Sequence, residues 1–170
     1  MVVGAKPMWT ICCRPDNDLF IALTRAGIAC PRFDTPGQAV AAAPGGGGVL
    51  VLSDGYPGTR TVIGQEIWEQ ASDKRLRLYV EYVEAVPGVP AGPVRRTEWE
   101  RIVVASGALG HALPPGTILS VPGCRYSTVA AEEPWLVAAR VAGFDTAVYG
   151  LPKDPAPILF EAPGQTAVVA

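Results

Sequence analysis

The chain has a single histidine, His111, and no two cysteines in a CxxC spacing. Cys12, Cys13, Cys30 and Cys124 are scattered, and the adjacent pair would point to opposite faces of a strand. This argues against a zinc site or a disulfide scaffold, and small buried hydrophobes are the better reading of most of them. No apolar run approaches the roughly 20 residues needed to span a bilayer. Positive charge is not in excess either: 14 Lys and Arg stand against 16 Asp and Glu, a net charge of −2. Without a basic stripe, neither nucleic acid nor an anionic membrane is an expected partner. Residues 1–7 lack the basic segment and apolar run of a signal peptide, so a cytoplasmic location is the expectation.

What is present suits one α/β domain. The 170 residues, 49% of them hydrophobic, are enough to bury a real core. Met8-Trp9-Thr10-Ile11-Cys12-Cys13 reads as a buried strand closed by Arg14-Pro15-Asp16. Asp16 or Asn17 can cap a helix reaching Ala26, with Leu19, Phe20 and Leu23 at helical spacing and Gly27 as its stop. Residues 28–33 predict a short strand, placed at an edge by Pro31, and a small helix follows over 36–43. Val49-Leu50-Val51-Leu52 is the clearest strand, expected to be central. A helix over 63–71, with Ile67 and Trp68 inward, leads to a strand over 76–82. Such alternation implies right-handed crossovers and a mainly parallel sheet.

The glycines at 45–48 do not read as a phosphate loop, because they follow a helix and precede a strand, with no Gly-Lys-Ser/Thr after them. They read as a flexible turn. Beyond residue 82 the pattern loosens. Residues 86–93 read as a loop, 100–106 contain the apolar Ile102-Val103-Val104, and 117–121 predict a strand. Residues 135–149 predict a strand pair turning at Gly143, and 157–161 with 166–170 a closing hairpin around Pro163-Gly164. An apolar run left as a bare edge at the end of the chain implies a covering helix or further domains of a parent protein.

Three segments carry a resemblance: Val49-Leu50-Val51-Leu52-Ser53-Asp54-Gly55-Tyr56-Pro57, Arg77-Leu78-Tyr79-Val80-Glu81-Tyr82, and the stretch from Val141 through Gly143-Phe144-Asp145 to Gly150. Together they resemble class I glutamine amidotransferase-like domains within large bacterial proteins of carbohydrate metabolism, and are similar to the trimerisation domain of some beta-galactosidases. The resemblance implies a flavodoxin-like three-layer sandwich with a mainly parallel sheet. Catalytic members of that family carry a nucleophilic cysteine on a sharp turn after a strand, with a histidine and a glutamate near the chain end. Here the corresponding turn, Glu81-Tyr82-Val83-Glu84, has no thiol, and His111 is not near the end. The resemblance therefore implies a non-catalytic member, working with other domains of its parent protein or as a homo-oligomer.

In open α/β sheets ligands sit beyond the carboxyl ends of the strands, where strand order reverses. That places Arg14 and Asp16 beside Asp54 and Tyr56, with Glu81 and Tyr82 next along, as candidate ligand-binding residues. Carboxylates there suit the hydroxyls of a small carbohydrate-like ligand, and a hydrolase acting through Asp54, Glu81 or Glu84 is the competing function. The plainer reading makes Asp54 a turn cap and pairs Glu81 and Glu84 with Arg95 and Arg96. A Cys124–His111 nucleophile and base is a weaker combination, since both follow unrelated elements. Trp68, Trp99 and Trp135 read as core or interface anchors. Flavin or nucleotide binding lacks its phosphate-cradling turn after the first strand, and no cofactor or metal is expected. Incubated with glutamine, the chain will release no more ammonia than its Cys124→Ala variant; release that this change abolishes would overturn the non-catalytic reading.

Overall fold

Short apolar strands that cannot bury themselves singly are gathered into one large sheet in the computed structural model, which describes residues 8–89, 91–119, 123–164 and 166–170. The first half is laid down by strand–helix alternation. β1 (Trp9–Cys12) leads to α1 (Asp18–Arg25), β2 (Arg32–Phe33), α2 (Pro36–Ala42), β3 (Gly48–Val51), α3 (Gln65–Asp73) and β4 (Arg77–Val80). Then come β5 (Ala91–Arg96), β6 (Arg101–Val104), a 3-10 turn at Gly107–Leu109, β7 (Ile118–Leu119), β8 (Arg125–Val129), β9 (Leu136–Ala139), β10 (Ala156–Glu161) and β11 (Ala167–Val169).

The helices start where side chains can satisfy their free N–H groups. Asn17 accepts from Leu19 and Phe20 at the start of α1, Asp18 and Arg25 suit the helix dipole, and Gly27 ends the helix at φ 71°. Thr35 accepts from Gln38 at the start of α2, with Pro36 in the first turn. Lys74 closes α3 and donates to the Val40 and Ala41 carbonyls at 2.8 and 2.9 Å, neutralising the end of α2. Within the glycine turn, Gly47 is required for space: a Cβ there would sit 2.7 Å from the Met8 carbonyl oxygen.

The nine-stranded sheet has the order β2-β1-β3-β4-β11-β10-β9-β6-β7. Its first five strands run parallel, with β2 at the edge and β3 inside. From β11 onward every pairing is antiparallel. The expected parallel majority is therefore corrected: four of the eight pairings are parallel and four antiparallel, giving a mixed α/β sheet. β10 joins the halves. Its Phe160 and Glu161 pair with β11 while its first residues pair with β9, and the register shifts between Pro157 and Leu159. The C-terminal run is no bare edge, since β11 is paired on both sides. The expected partner strand after Gly143 is absent as well: only β9 forms, and Thr146 makes an isolated bridge to Thr117. Part of the expected loop is instead β5, which pairs with β8 in a separate two-stranded sheet. Of the strand expected over 117–121, Ile118–Leu119 forms, Thr117 makes only the isolated bridge, and 120–121 lie outside the described residues.

Helices lie on both faces of the parallel half. α2 and α3 contribute Ala39, Val40, Trp68 and Ala71 to a core with Val49, Val51, Leu78 and Val80, and half-buried Ile67 packs at its margin. On the other face, Phe20 and Leu23 of α1 meet Ile11, Cys13 and Leu52. That cover is thin, since no α1 residue is fully buried. Tyr126 of β8 packs with Ile102 and Ala138, so the small sheet roofs one face of the antiparallel half.

Glu100 braces the entry to β6. The Glu98 and Trp99 N–H groups donate to its Oε2 at 2.9 and 3.2 Å, and Arg140 Nε donates to Oε1 at 2.8 Å. The Glu98 N–H above all, then the Arg140 guanidinium, hold its pKa down at about 2, against an ordinary 4.5. A carboxylate depressed in the folded state contributes stability in full above its unfolded value and loses it as pH falls toward the folded one. Acid titration will therefore weaken the fold between about pH 4.5 and 2, and Glu100→Gln will remove that part of the slope. Identical acid profiles for the two chains, followed by circular dichroism, would contradict this.

Candidate functional site

The carboxyl ends of β1, β3 and β4 open onto three turns, and all six candidate residues lie in them. Asp54 and Glu81 each reach across to hold the neighbouring turn. Arg14 donates its backbone N–H to Asp54 Oδ2 at 2.5 Å, and Asn17 Nδ2 donates to Oδ1 at 3.3 Å, so Asp54 ties the turn after β3 to the start of α1. The Arg14 side chain turns to Asp16 at 2.9 Å, with both groups largely in solvent. Such a pair contributes little, about 0–1 kcal/mol.

Glu81 is engaged in the same manner. Its Oε2 accepts the Ser53 N–H at 3.1 Å, and its Oε1 accepts from the Tyr79 hydroxyl at 3.2 Å. Burial first, then the charge of Glu81, raises the Tyr79 pKa well above the ordinary phenol value, so this hydroxyl stays a donor. Glu84 pairs with Arg60 at 3.4 Å; the expected Arg95 and Arg96 partners are thus corrected. Among the described residues, Asp54 and Glu81 hydrogen-bond to different groups and not to each other.

Two tyrosines complete the edge. Tyr82 takes a left-handed backbone conformation at φ 48°, secured by its N–H to the Ala170 carbonyl and by its carbonyl, which accepts the Thr61 N–H. Its buried ring meets Tyr56 edge-on, with centroids 5.0 Å apart at 79°. The Tyr56 hydroxyl accepts the Arg125 N–H at 2.6 Å, which docks β8 against this edge. The register of β5 and β8 sets Arg96 directly opposite Arg125. Like charges so placed repel, and neither belongs to an ion pair among the described residues. Sequence reasoning missed this pair, because the loop expected over 86–93 takes in the start of β5 and no strand was expected over 125–129.

The remaining candidates separate. Cys124 Sγ lies 3.5 Å from the Thr97 hydroxyl, which donates to it, while His111 stands exposed in the turn after the 3-10 segment. Among the described residues no hydrogen bond joins Cys124 to His111. Burial, then the Asp54 charge, pushes the Cys12 and Cys13 thiols up to about 11, so neither is a thiolate near neutrality. Among the described residues, no group of His, Cys, Asp and Glu is arranged to hold a metal ion, and no helix is long and apolar enough to cross a membrane. Trp68 is core, whereas Trp99 is 76% exposed and anchors nothing within the chain.

Three hollows lie away from this edge. One, of about 330 Å³, is almost wholly apolar and crosses the sheet face beside α1, between Trp9, Leu50, Tyr79, Leu159, Val168 and Trp135. Two others, of about 570 and 640 Å³, flank Trp135 and share Glu132, Glu133 and Glu161. No family model matches the chain, and neither a curated protein nor a solved structure matches it.

Removing the Asp54 carboxylate tests whether it acts as a brace. Asp54→Ala will lower stability by about 1 kcal/mol, and Asp54→Asn by less, because an amide oxygen still accepts the Arg14 N–H. Denaturant midpoints unchanged in both variants would contradict the bracing role.

Proposed function

We propose that this domain is a non-catalytic accessory or assembly module of a larger carbohydrate-related protein, and that it works by docking rather than by chemistry. The observation that carries the proposal is the open apolar face of the parallel half. Parallel strands are ordinarily covered on both faces. Here α2 and α3 cover one face, while α1 leaves Trp9, Leu50, Tyr79 and Val168 half-exposed on the other. A face of this kind suits another domain or chain.

The order β2-β1-β3-β4-β11 is that of flavodoxin-like sheets, which supports the resemblance to class I glutamine amidotransferase-like domains. Between β4 and β11 the described residues form strands β5 to β10 and a 3-10 turn, with no further α-helix among them. The turn after β4, where the family's nucleophile would stand, holds Tyr82 in a left-handed conformation with its side chain packed on Tyr56. A hydrolase would need carboxylates free to move protons, and those of Asp54 and Glu81 accept backbone N–H groups instead. A small carbohydrate-like ligand at Tyr56 remains compatible with the docking role, because that ring is 43% exposed.

The chain will enhance the fluorescence of a hydrophobic dye such as anilinonaphthalene sulfonate, and Leu159→Lys will reduce the enhancement without loss of folding. A chain that leaves the dye dark, or a variant that binds it equally, counts against docking through this face.

A further inference from the structure

We infer that the occupant of the open face is an amphipathic helix of a partner protein, bearing lysine or arginine along the flank that meets Glu161. This rests on the docking role proposed above and names the chemistry of the partner. The floor of the groove is made by β1, β3, β4, β11 and β10, each paired on both sides within the sheet. No backbone edge is free there, so an added strand has nothing to pair with and only side-chain packing is available. A helix supplies it, as α2 and α3 do on the opposite face. Five strands about 4.8 Å apart make a floor about 19 Å across, matched by about 13 residues of helix.

Charge selects the kind of helix. Glu161 is directly opposite Val168 in the antiparallel β10–β11 pair, so both side chains leave the same face of the sheet. Trp135 lines the groove and both neighbouring hollows, and carries its wall on to Glu132 and Glu133. All three glutamates are exposed, and none belongs to an ion pair among the described residues. Among the described residues the groove offers one cation, the exposed Arg77 at the start of β4. An acidic rim beside an apolar floor favours a cationic flank on the partner. A second copy of this chain, at net charge −2, would bring the same acidic rim with it.

Two tryptophan-free 18-residue helical peptides with one common leucine face provide the test, one flanked by lysine and the other by glutamate. Emission from Trp9 and Trp135 reports their binding. The lysine peptide should bind about tenfold more tightly at low salt, and the advantage should shrink as salt is raised. Glu132→Lys/Glu133→Lys/Glu161→Lys should reverse the preference, while Glu66→Lys/Glu69→Lys on α3, across the sheet, should leave it unchanged. Equal, salt-independent binding of both peptides to the unmodified chain overturns the charged-flank inference and leaves apolar docking standing. Failure of both peptides to bind overturns the inference and the docking role together. A dimer in light scattering that Leu159→Lys dissociates would replace the partner helix by a second copy and overturn the inference alone. The salt series on the unmodified chain decides the matter even if the triple variant fails to fold.

Discussion

The architecture depends on the double pairing of β11. Three residues, Ala167–Val169, run parallel to β4 on one side and antiparallel to β10 on the other. This strand closes the parallel half and begins the antiparallel one, and the shift in β10 lets a single strand serve both neighbours. Its influence reaches the strand-end turns. Ala170 donates to the Val80 carbonyl and accepts the Tyr82 N–H, fixing the left-handed residue whose ring seats Tyr56. Tyr56 in turn holds β8. Core, site edge and roof are thus linked through the last described residues.

Much of this was legible where residue type and local geometry agree. β1, β3 and β4 are apolar runs bounded by turns, Asn17, Thr35 and Gly27 punctuate the helices, and Pro163-Gly164 marks the turn between β10 and β11. Pairing direction was legible for the parallel β1, β3 and β4 and for the antiparallel β10–β11 hairpin, but not for β6, β7 and β9. A short apolar strand reads the same whether its neighbour runs with it or against it, so the mixed character of the sheet was hidden. β5 was hidden for another reason. Gly92 and Pro93 are loop residues by composition, and only the approach of β8, with Thr128 donating to the Pro93 carbonyl at 2.9 Å, makes them a strand. After Gly143, by contrast, Ala147 and Val148 have the composition of a strand, yet Val148 is 66% exposed and has no strand beside it.

The strand-end edge was legible as a place and not as a set of bonds. Topology alone brings the loops of Asp54, Tyr56, Glu81 and Tyr82 to one end of the sheet. Which carboxylate oxygen meets which N–H depends on turn geometry, and that geometry uses both carboxylates to brace the turns. The open groove was hidden in a different way. Trp9, Leu50, Tyr79 and Val168 alternate along their strands with core residues, and an apolar residue in such a run carries no mark of whether a helix lies above it.

The late position of β11 in the chain bears on how the protein is made. β4 ends at Val80, yet its partner spans Ala167–Val169, and the intervening strands build the antiparallel half. During synthesis from the N-terminus, the first four strands can associate while the far side of β4 has no neighbour. A translating ribosome adds about 5–20 residues per second, so that edge waits several seconds. Closing so long a loop costs only modestly more than closing a short one, about 0.6 kcal/mol for each doubling of length. The heavier consequence is kinetic. Non-local parallel pairing is slow, and an unpaired interior strand invites association with other chains until the final segment arrives.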